Sequence, residues 1–261
     1  MRLTDKNSSF PSIQRITLEP QTCRMDINAR TAIVTGANRG LGRALVDALL
    51  ERGAQRIYAA ARNPRTVRTD DRITAVTLDV TDRASIDSFA ACAPDVDLLI
   101  NNAGAAAFEP ALDADRDGVA REFAVNFTGL YDMIRAFAPA LIANQGALVN
   151  VLTLLSYAPA PAMAGYSASK AAAHSLTLAL RPALTQAGVS VHGVYPGGID
   201  TDMLAGIDTP KAATRVVADA ILDGLTAGQS DIYPDPTSAQ MSQLWNSDPR
   251  AFTATFAATG S

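Results

Sequence analysis

The sequence predicts one α/β domain, a doubly wound parallel sheet of about seven strands flanked by helices. Three observations predict it. From Thr31 onward, short apolar runs alternate with longer segments of helical periodicity. The short runs are continuously apolar rather than alternating, as befits strands buried on both faces. A glycine-rich turn joins the first run to the first helix.

The elements follow in order. "TAIVTG" reads as the first strand, and "LGRALVDALLERGA" as a helix ending near Gly53. "RIYAAAR" (56–62) and "ITAVTL" (73–78) are the next strands, and "DRASIDSFAACA" (82–93) is a helix. "VDLLINNAG" (96–104) is the fourth strand, and one long helical region covers roughly 115–143. "ALVNVLT" (147–153), "VSVHGVYPG" (189–197) and "DIYP" (231–234) complete the strands. "YSASKAAAHSLTLAL" is a helix that Pro182, by removing the bond to Leu178, should kink or end. A further helix is expected at about 210–226. Regular alternation implies right-handed crossovers. No repeat or interdomain linker interrupts residues 29–261, so these form one domain. Residues 1–28 are polar and lack the apolar stretch of a secretory signal; they read as a flexible N-terminal extension.

Composition narrows the function classes. A formal charge of −4 without a Lys/Arg cluster argues against a nucleic-acid partner. No apolar run reaches the ~18 residues of a membrane span. Cys23, Cys92, His174 and His192 lack metal-ligand spacing. With two lone thiols, the expectation is a cytoplasmic protein without membrane, metal or nucleic acid. His174 is expected at a helix or subunit surface, His192 in the core or an interface, and Tyr195 either along a cofactor or simply packed.

"TGANRGLG" (35–42) lies between a strand and a helix. Gly36 permits a tight turn, Gly40 close approach of a ligand, and Gly42 close helix–strand packing. The helix start then offers free N–H groups to a pyrophosphate, making Asn38, Arg39 and Leu41 further candidate contacts. An NAD site needs a carboxylate near the end of the second strand, but no acidic residue occurs between Glu51 and Asp70. Arg62 ends that strand and Arg39 sits in the loop. Two guanidinium groups suit a 2′-phosphate, unless either is simply solvated surface. The cofactor expected is NADP(H) rather than NAD(H).

Tyr166 and Lys170 are four residues apart on a helix, which stacks them on one face. A phenol is a poor acid–base group at neutral pH, but an ammonium beside it, with an oxidised nicotinamide ring, would stabilise the phenolate. Together with GxxxGxG and "NNAG", this pair makes the chain resemble the short-chain dehydrogenase/reductase family over about Thr31 to Asp231.

The resemblance implies a Rossmann-type fold, with Tyr166 as proton donor and Lys170 also holding the ribose hydroxyls. It places Asp79 and Val80 at the adenine, and Asn102, Ala103 and Gly104 along the cofactor. In "PGGIDT", it places Pro196, Gly197, Ile199 and Thr201 at the nicotinamide and phosphate. The family has a serine thirteen residues before the tyrosine; here that position is Thr153, with Ser156 as the alternative second hydroxyl. Asn126 matches an asparagine thought to hold a relay water, or else bonds locally within its helix. The implied reaction is NADPH-dependent reduction of a ketone or aldehyde, reversible with the alcohol. The alternatives are an NAD-dependent alcohol dehydrogenase running oxidatively and a non-catalytic NADP(H)-binding sensor or scaffold. Leu154, Leu155, Met163, Met203 and Leu204 would line an apolar substrate pocket. The segment from Pro234 onward carries no legible chemistry and is expected at a dimer or tetramer contact, as in relatives.

Overall fold

The computed structural model describes residues 25–257. The described residues form one sheet of seven parallel strands in the order β3-β2-β1-β4-β5-β6-β7. β1 spans Thr31–Thr35, β2 Arg56–Ala61, β3 Ile73–Thr77 and β4 Leu98–Asn101. β5 spans Ala147–Val151, β6 Ser190–Val194 and β7 Asp231–Ile232. The order turns back between β1 and β4. In open parallel sheets that crevice, outside the carboxyl ends of the strands, is where ligands bind.

The sheet is apolar on both faces, which explains the unbroken hydrophobic runs. On one face, α1 (Gly40–Glu51) packs beside α6 (Thr214–Thr226) over Val34, Leu98 and Val149. α1 buries Leu41, Leu45, Ala48 and Leu49, the stripe its periodicity announces. On the other face, α2 (Arg83–Cys92), α4 (Leu130–Ala143) and α5 (Ala164–Gln186) cover Ile33, Leu99 and Leu148. Asn101 and Asn150 stand in register on β4 and β5, and their side chains bond at 3.0 Å inside the sheet. Asn150 then donates to Thr177 on α5 at 2.9 Å. This buried polar chain ties the helix to the sheet in one register.

Several expectations need correction. The strands end earlier than their apolar runs: β4 stops at Asn101, β6 at Val194 and β7 at Ile232, so the glycine- and proline-bearing ends are loops. The region 115–143 is not one regular helix. α3 (Arg116–Phe123) passes through a π-helical turn, Ala124–Gly129, into α4. Pro182 does not end α5, which continues to Gln186. Pro182 and Leu178 lie on the exposed face, where water can take the Leu178 carbonyl left without its helical bond. Of the expected 1–28 extension, residues 1–24 lie outside the described residues. Met25 and Ile27, by contrast, are buried in the core.

The segment after β7 folds onto its own chain. α7 (Pro236–Ser247) and α8 (Pro249–Ala257) bring Trp245 and Phe252 against Tyr157. Tyr157 also stacks on Tyr195, whose hydroxyl meets His174 Nδ1 at 2.8 Å. His174 is therefore half-buried with its ring in an aromatic cluster, and Tyr195 is fully packed. His192 is a core residue, bonded to the Gln229 carbonyl and Ser190 hydroxyl. Among the described residues, no helix is long and apolar enough to cross a membrane, and no cluster of three or more His, Cys, Asp or Glu could hold a metal.

Phe252 has no exposed surface and joins α8 to this cluster. Phe252→Ala is expected to cost about 3–5 kcal/mol, from lost burial and the cavity left behind. Urea denaturation monitored by Trp245 fluorescence measures it.

Candidate active site

The carboxyl ends of β1, β4, β5 and β6 open into one cleft of about 1600 Å³. That exceeds the ~300–1,000 Å³ of an ordinary small-molecule pocket and leaves room for a dinucleotide with a substrate. Every site residue named from the sequence lines it except Asn126 and the alternative hydroxyl Ser156.

The glycine loop forms one end. Gly36 has φ +67°, a conformation costly for any side chain. A methyl group on Gly42 would overlap the Gly36 carbonyl, so helix and loop can approach only because it is absent. The loop is braced from β4. Thr35 Oγ1 accepts from the N–H groups of Asn102 and Ala103, both at 3.0 Å, and Asn102 Nδ2 donates to the Thr35 carbonyl at 2.9 Å. Among the described residues, no side chain caps α1 and no acidic group occupies its first turn. Its N–H groups and positive dipole end are thus left for an anion, and the loop fits a pyrophosphate.

Arg62, at the end of β2, lines the same end of the cleft. Arg39 also lines it and pairs with Asp202 at 3.0 Å, tying the glycine loop to the Asp202–Leu204 turn. Both partners are mostly exposed, so this ion pair contributes little and can exchange for a stronger anion. Asp79 accepts from the Thr81 N–H and hydroxyl, which holds its carboxyl below the usual range. On the opposite side, Gly197 N–H donates to Asp235 at 2.9 Å, so the N-cap of α7 fixes the turn after β6.

Tyr166 and Lys170 lie on one face of α5, the ammonium 6.0 Å from the ring centre. Lys170 is 4% exposed and donates to the Val151 carbonyl at 2.8 Å. Burial lowers its pKa to about 8. Burial also pushes the Tyr166 phenol up to about 12; the Thr153 hydroxyl pulls it down and the Glu122 carboxylate pushes it up. Without an oxidised ring beside it, the phenol is therefore not acidic in the protein. The lysine is desolvated along with it, so its cation is weakened too.

Thr153, just past β5, lines the cleft beside the tyrosine, and its hydroxyl accepts from the Leu155 N–H at 3.3 Å. Ser156 points elsewhere: it does not line the cleft, and its hydroxyl is buried without a partner among the described residues. Asn126 sits in the π-helical turn, behind the cleft wall. Its amide accepts from the Ala105 N–H at 2.9 Å and donates to the Ala105 carbonyl at 2.8 Å and the Ser169 hydroxyl at 2.9 Å. It bonds across the fold rather than locally, and it sets the position of its neighbours.

Leu154, Leu155, Met163, Met203 and Leu204 line the mouth, as expected. The sequence reading missed Phe108, Arg121, Ile207, Thr237 and Phe256 there. Phe256 reaches the cleft because α8 anchors through Phe252 on Tyr157. No local signal marks such a residue; an aromatic far from every motif was the only hint.

The family model "short chain dehydrogenase" matches residues 30–212. A sorbitol dehydrogenase from Cereibacter sphaeroides is 33% identical over 199 residues, 72% of this chain and 77% of that protein. Among solved structures, a short chain dehydrogenase from Burkholderia cenocepacia in complex with NADP is 40% identical, with a TM-score of 0.86. The match covers 89% of this chain and 99% of that one. A putative gluconate dehydrogenase from Agrobacterium tumefaciens is 28% identical with a TM-score of 0.75, covering 82% and 97%.

Burial depresses the Lys170 pKa to about 8 from its ordinary value of 10.5, so between these values the unfolded chain binds more protons. The lysine's contribution to stability is unfavourable below pH 8, and the penalty is relieved as pH rises to 10.5. Denaturant titrations across this window should therefore show wild type gaining stability relative to Lys170→Met. A parallel pair of curves would contradict the burial.

Proposed function

The chain belongs to the short-chain dehydrogenase family of oxidoreductases, and on that premise we propose that it interconverts a carbonyl compound and its alcohol with NADP(H). One observation carries the reading: Thr153, Tyr166 and Lys170 converge on one wall of a cleft whose far end is a phosphate-shaped glycine loop. When bound, the dinucleotide supplies or accepts the hydride.

The chain's own residues handle position and protons. The Thr153 and Tyr166 hydroxyls hold the substrate oxygen, where charge develops as the hydride moves. Tyr166 gives that oxygen its proton in reduction and takes it back in oxidation. In oxidation, the positive charge of the oxidised ring would lower a phenol that the protein alone leaves near 12. Lys170, lowered to about 8, can exchange a proton near neutral pH and so restore the tyrosine.

The cofactor's 2′-phosphate is assigned to Arg39 and Arg62. These line the cleft at the end of β2, a strand that ends without a carboxylate. The 40%-identical neighbour in complex with NADP supports this choice. Beside Arg121 and Thr237 the mouth is mainly apolar: Phe108, Met203 and Ile207 are about 40% exposed, and Leu154, Leu155 and Met163 also line it. This lining favours an uncharged, hydrophobic carbonyl compound over the polyol or sugar acid named for two of the relatives.

Tyr166→Phe should abolish NADPH oxidation across a panel of ketones and aldehydes while leaving NADPH affinity, read by fluorescence titration, essentially intact. Loss of NADPH binding instead would contradict the assigned role. Replacing Arg39 and Arg62 together by alanine should raise the Michaelis constant for NADPH about tenfold or more, with little effect on NADH. Equal effects on both cofactors would place the 2′-phosphate elsewhere.

A further inference from the structure

We propose that Glu122 is the positioning residue for Tyr166, as Asn126 is for Lys170. The proposal rests on the acid–base role just given to Tyr166.

Glu122 lies four residues before Asn126, on the last turn of α3. It is 1% exposed, an unusual place for a carboxylate. The two side chains do parallel work. Asn126 grips Ala105 and Ser169. Glu122 accepts from the Ala107 N–H at 2.6 Å and lies so close to Gly165 that a methyl group there would overlap its carboxylate. Ala105 and Ala107 are alternate residues of the segment leaving β4, and Gly165 and Ser169 are one turn apart on α5. The residue after Gly165 is Tyr166, and the residue after Ser169 is Lys170. The Glu122 rung therefore packs against the backbone just before Tyr166. The Asn126 rung ends on the Ser169 hydroxyl beside Lys170, and that hydroxyl itself donates to the Tyr166 carbonyl at 2.7 Å.

A carboxylate suits the first rung for a second reason. α5 begins without a side-chain cap and without an acidic residue in its first turn. Glu122 brings a negative group to that N-terminus from another helix, where the dipole favours it. The same charge faces the phenol. An ionised Glu122 opposes ionisation of Tyr166, and burial in turn raises the Glu122 pKa. Around Glu122 stand Glu109, which raises it further, and Arg121, which lowers it. Around the phenol stand Thr153 and the Lys170 ammonium. A purely structural glutamate would hold the Ala105–Ala107 segment without being felt at the tyrosine oxygen.

The test separates charge from reach. Tyrosinate formation is followed by ultraviolet difference spectroscopy with NADP⁺ bound, taking each protein minus its Tyr166→Phe counterpart. Glu122→Gln keeps the shape and removes the charge; the Tyr166 midpoint should fall by about half a pH unit. The ascending limb of the pH–rate profile for alcohol oxidation, where activity appears as the phenol ionises, should move with it. Glu122→Asp keeps the charge but loses the reach to Ala107; kcat should fall about tenfold with the Michaelis constant for NADP⁺ unchanged. An unmoved midpoint in the glutamine variant, or an undiminished kcat in the aspartate variant, overturns the proposal. Turnover surviving in Tyr166→Phe would mark failure of the acid–base reading, which the midpoint shift does not depend on.

Discussion

The ammonium of Lys170, held in the interior on the carbonyl of Val151, is the interaction on which the rest of the site depends. Desolvation of a cation is costly, and here the ammonium bonds a backbone oxygen at 2.8 Å. That oxygen is available because β5 ends at Val151, and its chain turns away through Thr153 just beyond. The same strand end thus delivers the lysine's anchor and the second hydroxyl. Tyr166 follows, one turn up α5, over the ground that Thr153 defines.

Holding a helix this accurately over a strand end needs contacts from a third element, and the π-helical turn supplies them. An extra residue in the helical ladder changes which side chains face the sheet, and such turns recur at functional sites. Here it lies at Ala124–Gly129 and aims Asn126 at both the β4 exit and α5. The opposite wall is braced just as deliberately. Asp235 holds Gly197 by a charge-assisted bond and at the same time caps α7, so the turn after β6 and the α7–α8 arm form one unit. The mouth of the cleft is then closed by side chains far apart in the chain, Phe108 at one rim and Phe256 at the other.

Much of this was legible in advance because its causes are local. Continuous apolar runs announced buried parallel strands, and the glycine spacing announced a loop that tolerates no side chain at Gly36 or Gly42. The i, i+4 spacing placed Tyr166 and Lys170 on one face. Where expectation failed, a non-local contact decided. Pro182 was tolerated because its helix face meets water, which no tripeptide reveals. Glu122 belongs to no sequence motif, and only the approach of Gly165 and Ala107 from either side marks it. The C-terminal segment, without a motif, became a wall of the cleft through packing alone.

The sequence by itself determined the sheet, the glycine loop and the placing of Tyr166 and Lys170 on one helix face, because periodicity, glycine conformation and helical spacing act within a few residues. Only the tertiary structure decided the protonation energetics and the shape of the mouth. Burial of Tyr166 and Lys170, and the approach of Glu122, Asp235 and Phe256, depend on which distant segments meet. Desolvation and close packing are properties of that assembled surrounding, not of the chain taken in order.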